Sequence, residues 1–114
     1  MNKITWKRGD NTLIWNGTEL AVPADILWAV ELTELDGFVL VTLFDENTPA
    51  EISNGYIYID NSGFKPINIY ENNNIVRLLG CYIENNEIVI NAANNMEYVV
   101  DQVTLEVIDS RYYR

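Results

Sequence analysis

The sequence predicts an all-β domain: an antiparallel meander of about ten short strands, with little or no helix, forming a β-sandwich or propeller-like blades. Three observations predict it. Asparagine-rich turns recur between short alternating apolar runs. Those runs are rich in β-branched and aromatic residues, which suit a pleated, half-buried surface. Only residues 24–34 offer a helical alternative, and there Ile26, Trp28, Val30 and Leu32 alternate with period two, so a strand is preferred.

The first hairpin is Thr12-Leu13-Ile14-Trp15, Asn16-Gly17, Thr18-Glu19-Leu20-Ala21-Val22. Asn-Gly supplies the two positive φ angles of a type I′ turn. Pairing across it sets Trp15 opposite Thr18 and Leu13 opposite Leu20 on one face, with Ile14 and Glu19 on the other. Phe38-Val39-Leu40-Val41-Thr42-Leu43-Phe44 is apolar on both faces and is expected to be a central strand. Residues 45–55 form the longest expected loop. In Tyr56-Ile57-Tyr58-Ile59-Asp60, tyrosines and Asp60 alternate with isoleucines, and Asp60-Asn61-Ser62-Gly63 is a turn. Glu71-Asn72-Asn73-Asn74 is another.

A second hairpin turns at Asn85-Asn86. In its register Ile83 faces Ile88, Cys81 faces Ile90 and Leu79 faces Ala92, while Glu84 meets Glu87 and Tyr82 meets Val89 on the other face. Asn94-Asn95 closes a third, returning through Met96-Glu97-Tyr98-Val99-Val100. No linker or composition shift divides the chain, so residues 1–114 are expected to be a single domain.

Composition narrows the function. Lys and Arg number 7 against 17 Asp and Glu, a net charge of −10. Between Gly9 and Phe64 there is no basic residue, yet ten acids: Asp10, Glu19, Asp25, Glu31, Glu34, Asp36, Asp45, Glu46, Glu51 and Asp60. Such a surface repels phosphate backbones and steers basic partners, so nucleic acid is not the expected ligand. One cysteine, no signal-like segment and no run of about 18 apolar residues point to a cytoplasmic protein without a membrane partner.

Chemistry is sparse. The absence of histidine removes the commonest general base and transition-metal ligand. Cys81, expected to face the core, is an inert small hydrophobe in that position. Asp45-Glu46-Asn47 and Glu51 lack the glycine and spacing of a hand-type calcium loop. No catalytic residue, metal or cofactor is therefore assigned. The candidate residues are partner-binding ones: Asp45, Glu46, Tyr56, Tyr58, Asp60, Tyr82, Glu84 and Glu87. Glu84 and Glu87 would offer a doubled negative charge at a hairpin tip, or simply splay apart in solvent. Tyr56 and Tyr58 would form an interface, or cover a second layer of the fold. Trp6, Trp15 and Trp28 are expected in the core.

Pro23 before an apolar strand, then Val39-Leu40-Val41-Thr42-Leu43-Phe44-Asp45, a loop, and Tyr56-Ile57-Tyr58-Ile59-Asp60-Asn61-Ser62-Gly63 follow one another in order. This order resembles small acidic bacterial immunity proteins of polymorphic-toxin and contact-dependent growth-inhibition systems. Those proteins often carry Asp-x-x-Gly after a Tyr-rich strand, as Asp60 to Gly63 do, and Tyr-x-x-Asp near their end, as Tyr98 to Asp101 do. The resemblance spans about residues 23–109 and rests on short motifs. It departs at Ile67, where a tryptophan is frequent, and around Leu105, where a turn glycine is. It implies a monomer that binds one cognate toxin domain, frequently a nuclease with a basic cleft, in a 1:1 complex. The alternative from another class is a structural or assembly module of a bacterial surface, tail or secretion apparatus, with a carboxylate-only enzyme third.

Overall fold

The computed structural model describes residues 3–44, 47–60 and 62–112. Among them it contains thirteen strands, all paired antiparallel, and no helix. β1 (Ile4–Thr5), β2 (Thr12–Trp15) and β3 (Thr18–Ala21) form the first sheet. β4 (Ile26–Leu32), β5 (Gly37–Thr42), β6 (Gly55–Ile59) and β7 (Gly63–Pro66) form the second. After a small hairpin, β8 (Tyr70–Glu71) with β9 (Asn74–Ile75), the last sheet comprises β10 (Leu78–Glu84), β11 (Glu87–Ala92), β12 (Met96–Val100) and β13 (Val107–Tyr112). Each strand pairs with its neighbour in sequence, so every sheet is a meander.

The sheets stack because β5 is apolar on both faces. Phe38 and Leu40 join Leu13, Trp15, Ile26 and Ala29 in one core. Val39 and Val41 point the other way, into a larger core with Ile57, Ile67, Leu78, Ile88, Ile90 and Val100. The second sheet is thus the middle of three layers, and all six residues of β5 are buried. Each fully buried aliphatic chain contributes roughly 1.5–3 kcal/mol. Three layers exceed a sandwich. The two four-stranded meanders meet through their first strands, β4 and β10, as neighbouring propeller blades do.

Turn chemistry explains the hairpins. Asn16 and Gly17 (φ 52° and 81°), Asn72 and Asn73 (51° and 66°), and Asn85 and Asn86 (52° and 63°) are paired positive-φ residues, the geometry of type I′ turns. The registers Trp15↔Thr18, Ile83↔Ile88 and Glu84↔Glu87 follow directly. The Asn94-Asn95 turn differs from expectation. Only Asn95 has positive φ, and its N–H bonds Ala92 O at 3.3 Å, so the connection is a three-residue loop.

Two bulges overturn parts of the face assignment. Ala92 pairs with Leu78, and the register shifts between Leu78 and Gly80, which turns Leu79 outward. In β4 the shift lies between Ile26 and Trp28. Ala29 rather than Trp28 then joins Ile26 in the smaller core, and Trp28 is 46% exposed. One inserted residue reverses the parity of every side chain on one side of it.

The segment expected to be a plain loop before Tyr56 ends in buried polar residues. Asn54 donates through Nδ2 to Thr42 O (2.9 Å) and Leu78 O (2.8 Å), and its Oδ1 accepts Leu78 N–H (2.9 Å). It ties the end of β5 to the start of β10. Ser53 Oγ donates to Ile67 O and accepts Gly55 N–H at 3.0 Å. Arg77 holds the preceding turn through the carbonyls of Thr48, Pro49 and Ile52, with its guanidinium 4.6 Å from the Phe44 ring centroid.

Candidate interaction surface

The eight sequence candidates fall into three places. Asp45 and Glu46 lie outside the described residues. Tyr56, Tyr58 and Asp60 belong to the second sheet, and the two rings cover a layer: Tyr58 stacks on Phe38 (centroids 5.0 Å, 21°) and packs on Phe64 at 4.9 Å. Tyr56 meets Phe64 edge-on at 6.4 Å. Both rings are half-buried against the smaller core, while Asp60 is exposed. Tyr82, Glu84 and Glu87 come together on the outer face of the last sheet, opposite the side that carries Cys81, Ile88 and Ile90.

That outer face carries a network invisible in the sequence. Register sets Glu97 beside Asn91 on one flank and Arg111 on the other. Arg111 Nε donates to Glu97 Oε1 (3.0 Å), and its Nη2 reaches Glu84 Oε1 and the Tyr82 hydroxyl, both at 3.5 Å. Tyr82 donates to Glu97 Oε2 (3.1 Å), which also accepts Asn91 Nδ2 at 3.3 Å. The Glu97 carboxylate, followed by the tyrosine, raises the Arg111 pKa. Partial burial, then the nearby carboxylates, raises that of Tyr82. Glu84 is therefore already engaged by a cation of its own chain, while Glu87 makes no ion pair among the described residues.

Beside this network lies an apolar patch. Trp28 and Leu79 are 46% and 48% exposed, and with Gly80, Tyr82 and Asn91 they border a cavity of about 310 Å³. Trp6 packs edge-on against Trp28 at 5.4 Å and 61°, which holds the exposed ring in place. Sequence reasoning placed Trp28 and Leu79 in the core. Only the two bulges bring both to the surface, and no local signal marks a bulge in either strand. An exposed Trp and Leu ringed by Tyr, Asn, Glu and Arg has the make-up of a protein-binding surface: aromatic anchor within, polar groups around it.

Acidic side chains dominate the first two sheets. Of the eight described acids between Gly9 and Phe64, seven are exposed and Glu31 is half-buried. Asp36 pairs with Lys3 Nζ at 3.0 Å, and Glu31 accepts the Lys3 backbone N–H at 2.8 Å. The other six, Asp10, Glu19, Asp25, Glu34, Glu51 and Asp60, form no ion pair among the described residues.

Reactive groups do not converge. Cys81 is buried, and burial pushes its thiol far above the ordinary range. No three His, Cys, Asp or Glu side chains among the described residues are placed to hold a metal ion. Among the described residues no helix is long and apolar enough to cross a membrane. No family model, curated protein or solved structure matches this chain.

Proposed function

We propose that this protein is an immunity protein that binds and neutralises a cognate bacterial toxin domain, a nuclease with a basic active-site cleft. The observation that carries the reading is the block of six exposed carboxylates with no ion pair among the described residues. Such a surface competes with a phosphate backbone for the same Lys and Arg side chains. The patch of Trp28, Leu79 and Tyr82 supplies what charge cannot: apolar area that slows dissociation.

The test is stopped-flow association with the toxin domain encoded beside this gene, across a salt series. Association is expected to be fast at low salt and to slow markedly as ionic strength rises. Glu84→Lys with Glu87→Lys should slow association further, whereas Trp28→Ala should raise the dissociation rate. An association rate that is flat across the series removes the electrostatic mechanism. Failure of the two proteins to bind at all removes the immunity reading. An assembly module of a surface, tail or secretion apparatus is the second reading, favoured by the open edge of β13.

A further inference from the structure

β13 is the last strand of its sheet, and all six of its residues are exposed. Ile108 is 53% and Tyr112 84% exposed. Among the described residues no backbone group pairs with its open side. Two other end strands are blunted: β7 carries Lys65 and Pro66, and β1 is two residues long. β13 carries no proline, and its charges alternate in sign.

The hydrogen bonding fixes which groups face outward. Ser110 N–H is donated to the neighbouring Asp109 Oδ1 at 2.8 Å, not to β12, which places it on the open side. In the regular part of the ladder Ser110 and Tyr112 then face outward, while Ile108 is the extra residue of a bulge, where the partners of β12 step from Asp109 to Val107. Asp109 and Arg111 pair with Val99 and Glu97 and share the outer face of the sheet.

From this geometry we propose that β13 pairs antiparallel with β13 of a second copy, on a two-fold axis through Ser110. Outward residues must meet outward residues, and three such registers centre on the charged stretch Asp109 to Arg111. Centring on Asp109 sets that carboxylate against itself, and centring on Arg111 sets two guanidinium groups together. Centring on Ser110 places Asp109 opposite Arg111 twice. Opposite charges directly across a ladder stabilise it. Ser110 exchanges N–H···O=C bonds with its own copy, and the Asp109 carboxylate that caps that N–H in the single chain turns to the copy's Arg111.

Two four-stranded sheets then join into one continuous sheet through a self-complementary, closed contact. The pairing uses up the edge, so it yields a dimer rather than a filament. It is independent of the toxin reading, because it rests on β13 alone.

Analytical ultracentrifugation of the full chain, carried into the millimolar range, tests this. Wild type should pass from monomer to dimer. Ser110→Pro should remain monomeric with an unchanged urea midpoint, since the N–H it removes lies outside the β12 ladder. Asp109→Arg should weaken dimerisation by roughly tenfold or more, by setting Arg against Arg111. Asp109→Arg with Arg111→Asp should restore it. A wild type that stays monomeric throughout overturns the proposal, as does a Ser110→Pro variant that dimerises like wild type. A folded double variant that stays monomeric overturns the Ser110-centred register.

Discussion

Replacing Asn54 tests how the layers are joined. Its side chain is 1% exposed and makes three hydrogen bonds, to Thr42 O, Leu78 O and Leu78 N–H. Each contributes about 1 kcal/mol net, and groups left buried without a partner cost about 1–3 kcal/mol apiece. Asn54→Ala removes all three bonds and strands the Leu78 amide between two sheets. The expected loss is on the order of 3–5 kcal/mol, a large share of the ~5–15 kcal/mol that stabilises an ordinary domain. Asn54→Asp keeps the shape but replaces the donating amide with a carboxylate oxygen facing the carbonyls of Thr42 and Leu78, acceptor against acceptor, so it should be at least as damaging. Thr42→Val removes only the 3.2 Å bond from Oγ1 to Asn54 O and should cost about 1 kcal/mol. Urea unfolding reads these directly: with a slope of about 1–3 kcal/mol/M, the alanine midpoint should fall by about 1 M or more. If Asn54→Ala and Asn54→Asp both lie within about 1 kcal/mol of wild type, the clamp does not join the sheets.

Three further perturbations follow from the same structure. Gly37→Ala would put a Cβ 2.0 Å from Tyr58 O, a backbone atom that cannot swing aside, so it should cost about 2–3 kcal/mol or more by urea unfolding. Gly17→Val forces a β-branched residue to φ 81° in an open turn and should cost about 1–2 kcal/mol; an unchanged midpoint would contradict the type I′ assignment. Asp101 accepts the Thr104 and Val103 N–H groups at 2.9 and 2.7 Å, bonds that lower its pKa. Because the folded value lies below the unfolded one, its contribution is present above about pH 4 and fades as pH falls through the folded value. Hydrogen-exchange protection at Val103 and Thr104, measured relative to the intrinsic rate at each pH, should fall there, and Asp101→Ala should abolish that loss of protection.

The surface readings shift in a way that mutation can follow. Tyr58 was a candidate for a partner, yet its ring lies on Phe38 and Phe64. Tyr58→Ala should therefore lower stability first, whereas Trp28→Ala, at a half-exposed ring, should lower it little and act on binding.

What the sequence determined by itself is local. Asparagine and glycine tolerate positive φ, so Asn16-Gly17 and Asn85-Asn86 set their turns, and a two-residue turn fixes the register of the strands on either side. The doubly apolar Phe38–Val41 run likewise announced a strand covered on both faces. Tertiary structure decided the rest. A bulge adds one residue without changing composition, and its effect on Trp28 and Leu79 exists only when a neighbouring sheet is present to cover one parity and not the other. Asn54 resembles any loop asparagine until Thr42 and Leu78, 12 and 24 positions away, close around it. Arg111 finds Glu97 and Glu84 only after β12 and β13 align. Turn geometry is encoded within a few bonds, whereas burial and charge pairing depend on which layers meet.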